Sequence, residues 1–142
     1  MRAPPRIPKV MPQHTPRKRE GMDSRHLANV RQLPCVTCPE GTWLVRGNYA
    51  TQAHHLMRSG ERGLSLKSPD KYAVPLCLAC HGPSPYPNVT DAGNEDAWFA
   101  ERGLNGRAVA AALWAARSDL EAMRRVIFRA RQEASMKLKA NA

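Results

Sequence analysis

The sequence is short of acid, of aromatic side chains and of long apolar runs. Asp and Glu number 12 against 22 Lys and Arg, so the formal net charge is +10 and the pI about 10.1. That balance excludes an acidic solvating protein and suits a polyanionic partner, because each phosphate neutralised releases a condensed counterion. Aromatics are 6% and hydrophobic residues 42% of 142 residues, which is one domain with a modest core. No apolar run approaches the roughly 18 residues of a membrane-spanning helix. The opening Met1–Val10 stretch, MRAPPRIPKV, lacks an apolar h-region and does not read as a secretory signal. The expected compartment is therefore the reducing cytoplasm, with no membrane association and no disulfide framework. No internal repeat is present.

Residues 1–20 carry five prolines and six basic residues and few apolar side chains, so they read as a disordered basic arm. Asp23 can cap a short helix running to about Leu33, with Leu27, Val30 and Leu33 on one face. Thr42–Val45 and Ala50–His54 read as the two strands of a hairpin around Arg46-Gly-Asn48. Residues 57–71 read as a long polar loop, and Tyr72–Leu76 as a short apolar approach to a second cysteine pair. A short helix starting at Asn94 or Asp91 carries Trp98 and Phe99 and closes at Gly103. From about Arg107 to Lys139 there is neither Gly nor Pro. Val109, Leu113, Leu120, Met123 and Ile127 recur there at helical spacing, which predicts a C-terminal helix.

All four cysteines fall in two Cys-x-x-Cys pairs, Cys35/Cys38 and Cys77/Cys80. Such turns place two thiolates on one side of an ion, and two turns complete a tetrahedral zinc site with no open position. The spacing favours a structural zinc clamp over two disulfides or a single redox pair. His14 and His26 are isolated and read as surface residues. His54, His55 and His81 cling to the cysteine elements. Neighbours in a strand face opposite ways, so one of His54 and His55 would bind a metal and the other act on water or phosphate. With the zinc clamp drawing these elements together, the three imidazoles are expected to converge on one pocket. A basic surface and such a cluster suggest metal-assisted phosphodiester hydrolysis.

The stretches Cys35-Val-Thr-Cys38, Ala53-His54-His55 and Pro75-Leu-Cys77-Leu-Ala-Cys80-His81 resemble the HNH endonuclease family of the ββα-metal (His-Me finger) type. Residues 26–35, 63–77 and 93–99 are similar, more narrowly, to phage and prophage nucleases of the RecA-dependent Ref-like kind. The resemblance spans about Arg25 to Leu104. It implies an α+β fold: a small ββα-metal core stapled by a four-cysteine zinc site, with flanking helices and a long C-terminal helix. The implied division is an arm over 1–20, a nuclease domain over 21–104 and a basic C-terminal helix over 105–142. It further implies His55 as general base, His54 and His81 as ligands of a divalent ion such as magnesium or manganese, and structural zinc on Cys35, Cys38, Cys77 and Cys80. Arg58 and Lys67 would line the DNA. The implied partners are DNA and, for the subgroup, a recombinase filament. The implied setting is a bacterial cytoplasm and a phage or prophage origin.

Two departures from the family pattern stand out. The family commonly has a further metal-binding His four residues past the knuckle His, and here that position is Pro85. Counting back from Asn94–Trp98 puts the expected ligand at Asp91, a suitable hard-ion donor, with Asn88 as the lesser candidate. The family's asparagine before the second knuckle is replaced by Tyr72 or Asp70. Two alternatives to an endonuclease remain open: a non-catalytic zinc-stabilised DNA-binding module on the same scaffold, or an interaction protein using its C-terminal helix. The stretch 107–139 holds eight basic and three acidic residues, so its polar face could also touch DNA.

Overall fold

The computed structural model describes residues 21–38, 51–57 and 68–141. The basic arm, the Thr42–Val45 strand, Arg58 and Lys67 lie outside these residues.

Helix α1 (Ser24–Val30) starts as expected, with the Asp23 carboxylate accepting from the amides of Arg25 and His26. It ends before Leu33, which two turn hydrogen bonds nevertheless carry into the core. Strand β1 (Thr51–His55) pairs antiparallel with β2 (Ala73–Cys77), placing His54 opposite Val74 and His55 opposite Ala73. The segment read as an apolar approach, Tyr72–Leu76, thus supplies a strand that pairs with β1, while the other strand of the expected hairpin, Thr42–Val45, lies outside the described residues. All five β2 residues are buried, as a continuous short apolar run allows. Pro75 fits because its carbonyl accepts from the Val36 amide (3.0 Å). That edge therefore faces the first cysteine knuckle, and a residue without N–H forfeits no bond to β1. A 3-10 turn, Asp70–Tyr72, leads into β2 and takes up the end of the segment read as loop.

The one-turn helix α2 (Leu78–His81) follows β2 and packs on both strands. Short helices α3 (Val89–Ala92) and α4 (Glu95–Glu101) come next, capped by the side chains of Asn88 and Asn94. The continuous helix expected over 107–139 is two helices, α5 (Gly106–Ala115) and α6 (Leu120–Ala140). Ser118 takes a positive φ of 74°, and the Asp119 carboxylate caps α6 through the Ala122 amide. The break lets Val109, Ala110 and Leu113 face the same core as Met123 and Ile127, which one straight rod would carry away from it. A single apolar cluster runs from Val30 to Ala134, so the C-terminal helices share the core of the cysteine region.

Two positions report on this packing. Gly103 sits at φ +73°, and a Cβ there would lie 2.8 Å from the Ala134 carbonyl oxygen and 3.0 Å from its Cα. Both obstacles are backbone of α6, added to a left-handed conformation that costs a side-chain-bearing residue about 1–2 kcal/mol. Gly103→Ala is expected to lower the melting temperature by roughly 10 °C. An unchanged melting curve would mean that α6 does not seat against this turn.

His26, read as a surface residue, is instead 1% exposed, edge-on to Trp114 with ring centroids 5.0 Å apart. The hydrophobic face of α1 required an inward residue there, and neither ring nitrogen has a hydrogen-bond partner. Burial depresses its pKa below the ordinary 6.5 and Arg117 adds to this, against weaker opposite pulls from Asp23 and Asp70. The unfolded chain therefore binds this proton more readily than the fold, and stability falls as pH drops below about 6.5. His26→Leu is expected to flatten the decline of melting temperature between about pH 7 and pH 5. An equally steep decline in the variant would remove His26 as its source.

Candidate metal centre and histidine cluster

The cysteine cluster forms where two chain segments meet. Cys35 and Cys38 lie in the knuckle after α1, held to β2 by the Val36–Pro75 hydrogen bond; Cys77 ends β2, and Cys80 lies in α2. All four are buried and none is in a disulfide. Their sulfurs all lie within 4.8 Å of one another, with Cys38 3.5 Å from Cys77 and 3.4 Å from Cys80. Tetrahedral thiolates about 2.3 Å from zinc stand about 3.8 Å apart, so the donor set fits a structural metal such as zinc. The disulfide and redox-pair alternatives would each bond sulfurs in twos, whereas here one sulfur neighbours members of the other pair. Hydrogen bonds from Cys38, Cys77 and Cys80 hold the Cys35 thiol far below its usual range despite burial, and the Thr37 hydroxyl (3.3 Å) adds to them. Cys35 is thus the thiolate of the cluster, while hydrogen bonding to Cys35 and burial push the Cys38 and Cys80 thiols up; a bound ion would have to displace those protons.

The histidines divide between the two faces of β1. His54 is buried, with Nε2 2.5 Å from Glu95 Oε1, and the other Glu95 oxygen accepts from the Met57 amide (2.9 Å). The His81 ring meets His54 edge-on, centroids 5.1 Å apart, and its Nδ1 donates to the Gly82 carbonyl (3.1 Å). His54 Nδ1 and His81 Nε2 are therefore the nitrogens left with lone pairs for a cation. His55 turns the other way, as adjacent strand residues must. Its Nε2 meets Asp70 Oδ1 at 2.9 Å, while Asp70 Oδ2 accepts from the Asp23 amide (2.8 Å). Nδ1 is then its basic nitrogen, on a side chain 29% exposed. The structure brings His54 and His81 together and sends His55 to Asp70, so the expected three-ring convergence is reduced to a pair.

The Pro-rich segment after His81 holds the positions at which the resemblance led to the expectation of a further metal ligand. Gly82 takes φ +73° and ends α2 at His81, with Asn88 seated where a Cβ would be. Asn88 is buried and spent on local structure: Oδ1 accepts from the Asp91 amide, and Nδ2 donates to the Tyr86 carbonyl and to Asp91 Oδ2. Asp91 is exposed. Among the described residues the four sulfurs are the set of His, Cys, Asp or Glu donors lying within 4.8 Å of one another. His54, His81 and Asp91 do not form a second such set. Glu95 and the Asp70–His55 pairing escaped the sequence reading. A carboxylate directly after an Asn cap reads as an ordinary helix-start charge, and nothing local reveals that Glu95 is 6% exposed. For Asp70 a signal was present, since it stands near the position where the resemblance led to the expectation of an asparagine.

Fold and site together define a small α+β protein with a four-cysteine cluster and an adjoining histidine pair. Residues 7–84, more than half the chain, match the family described as "Protein of unknown function (DUF968)", and the chain belongs to that family. The match takes in both knuckles and all three clustered histidines. No curated protein and no solved structure matches. No helix among the described residues is long and apolar enough to cross a membrane.

Metal analysis of the purified protein is expected to give about one zinc per chain through the tetrathiolate set. Cys77→Ser is expected to abolish this zinc and lower the melting temperature by roughly 10 °C or more. A metal-free protein that melts like the variant would show that the sulfurs hold no structural ion.

Proposed function

We propose that the protein is a metal-dependent DNA endonuclease of the HNH type, hydrolysing phosphodiester bonds with water activated by His55. The observation that carries this reading is the pairing of the His54 and His81 rings beside the buried Glu95 carboxylate. The elements supporting them run in the order of two antiparallel strands and a helix stapled by four cysteines. Two imidazoles, one of them oriented by a carboxylate, would be the described residues' donors to a divalent cation. Such an ion, when bound, would stabilise charge on phosphoryl and leaving oxygens. The chain supplies the rest. Asp70 fixes the His55 ring and its tautomer, so that Nδ1 can take the proton of an attacking water. Glu95 orients His54, and the Gly82 carbonyl orients His81. The excess of positive charge would hold the DNA, and Arg58 and Lys67 remain the proposed contacts from the sequence.

A second reading has its own support: a DNA-binding module that keeps the scaffold without the chemistry. Pro85 replaces a ligand, Asp91 is exposed and bonded to Asn88, and His55 faces away from the His54–His81 pair. Plasmid nicking separates the two. The endonuclease reading expects supercoiled DNA to be relaxed only with magnesium, manganese or a similar ion, and His55→Ala to slow this about 100-fold or more. DNA binding without nicking, across several ions and DNA forms, would overturn it in favour of the second reading.

A further inference from the structure

A cavity of about 370 Å³ lies away from the histidines, between the first cysteine knuckle and α6. Its floor and wall carry Arg102, Arg131, Gln132 and Ser135, and Phe128 stands at it with 64% exposure. No Asp or Glu is among the described residues lining it. The Arg131 Nη2 atom is buried and has no hydrogen-bond partner, although a guanidinium nitrogen withdrawn from water ordinarily acquires one. Arg102 is fixed in place: its guanidinium lies 3.8 Å over the Trp98 ring and Nη1 donates to the Trp98 carbonyl (2.9 Å). Among the described residues the acid paired with it, Glu101, is 3.9 Å away and mostly exposed. Arg102, oriented by Trp98, and Arg131 thus line a concavity next to an aromatic ring presented to water.

We propose that this cavity binds a backbone phosphate of single-stranded nucleic acid, with an adjoining base stacked on Phe128. Guanidinium donors match phosphate oxygens in charge and geometry. An exposed aromatic ring offers a face to an unpaired base and none to a base inside a duplex. The chain's net charge of +10 favours the same class of ligand. The inference extends the nucleic-acid reading to a second surface and does not depend on hydrolysis.

The test is fluorescence anisotropy of a labelled oligothymidine with the full chain, in phosphate-free buffer without added magnesium or manganese. Phe128→Ala changes an exposed side chain and should weaken binding roughly ten-fold. Arg131→Gln should weaken it comparably and reduce the slope of log affinity against log salt by about 0.7. The same strand annealed into a duplex should bind with no dependence on Phe128. Wild-type affinity in both variants would overturn the proposal. So would equal loss on duplex, or stabilisation of the protein by inorganic phosphate that requires Arg131 while oligonucleotide binding ignores both residues, which would assign the cavity to free phosphate. Loss of nicking with oligonucleotide binding intact would strike the hydrolytic reading alone, and wild-type nicking with both variants binding normally would strike this one alone.

Discussion

Four buried sulfurs within 4.8 Å of one another are the constraint on which the other parts depend. Among the described residues the sheet has two strands of five residues, and such a pair is marginal in water without something packed upon it. The cysteines supply the tie. One pair comes from the turn after α1, and the other spans the end of β2 and the first turn beyond it. Left as thiols, these groups would share protons in an apolar setting. With an ion they join these two chain segments at one point and contribute folding free energy directly. His81 follows Cys80 immediately, so the cluster that ties the fold also fixes one ring of the histidine pair.

The pattern of elements was legible where local chemistry determines it. Asp23 capped α1, Asn94 capped the helix carrying Trp98 and Phe99, Gly103 closed that helix, and the two Cys-x-x-Cys turns met. What was not legible depended on neighbours distant in sequence. Ala73–Cys77 has no alternation because both its faces are covered, so its strand character showed only as a short apolar run. The break between α5 and α6 lies in a stretch without Gly or Pro. It is made by Ser118 and an Asp119 cap whose advantage arises only when both helices fold back on one core. His26 is buried because α1 has a covered face, and a single histidine carries no mark of that.

The candidate site divides in the same way. That His54 and His55 face apart follows from the pleat alone. Which group each would meet does not, because Glu95 is 41 residues from His54, and Asp70 is 15 residues from His55. The result is that each clustered histidine has one nitrogen committed to an acceptor of the chain. The acceptors are Glu95, Asp70 and the Gly82 carbonyl. Imidazoles held like this keep one defined tautomer and one defined lone pair, which serves ligation and proton transfer equally. The geometry therefore fixes which nitrogen of each ring is engaged and which is not, while position 85, where a further ligand was expected, is a proline.

The cysteine cluster also joins the two surfaces proposed to meet nucleic acid. Cys38 contributes a sulfur to the cluster and a wall to the arginine-lined cavity, while Val36 bonds to Pro75 in the strand opposite β1. A strain at the knuckle would therefore reach both the cavity and the histidine strand. Arg131 and Phe128, by contrast, lie on α6, whose seat depends on the close approach of Gly103 to Ala134. The cavity thus has one wall set by the cysteines and another set by helix packing. Loosening α6 would act on the cavity wall directly, and on the sulfur cluster and the His54–His81 pair only through the shared core, because none of those side chains belongs to that helix.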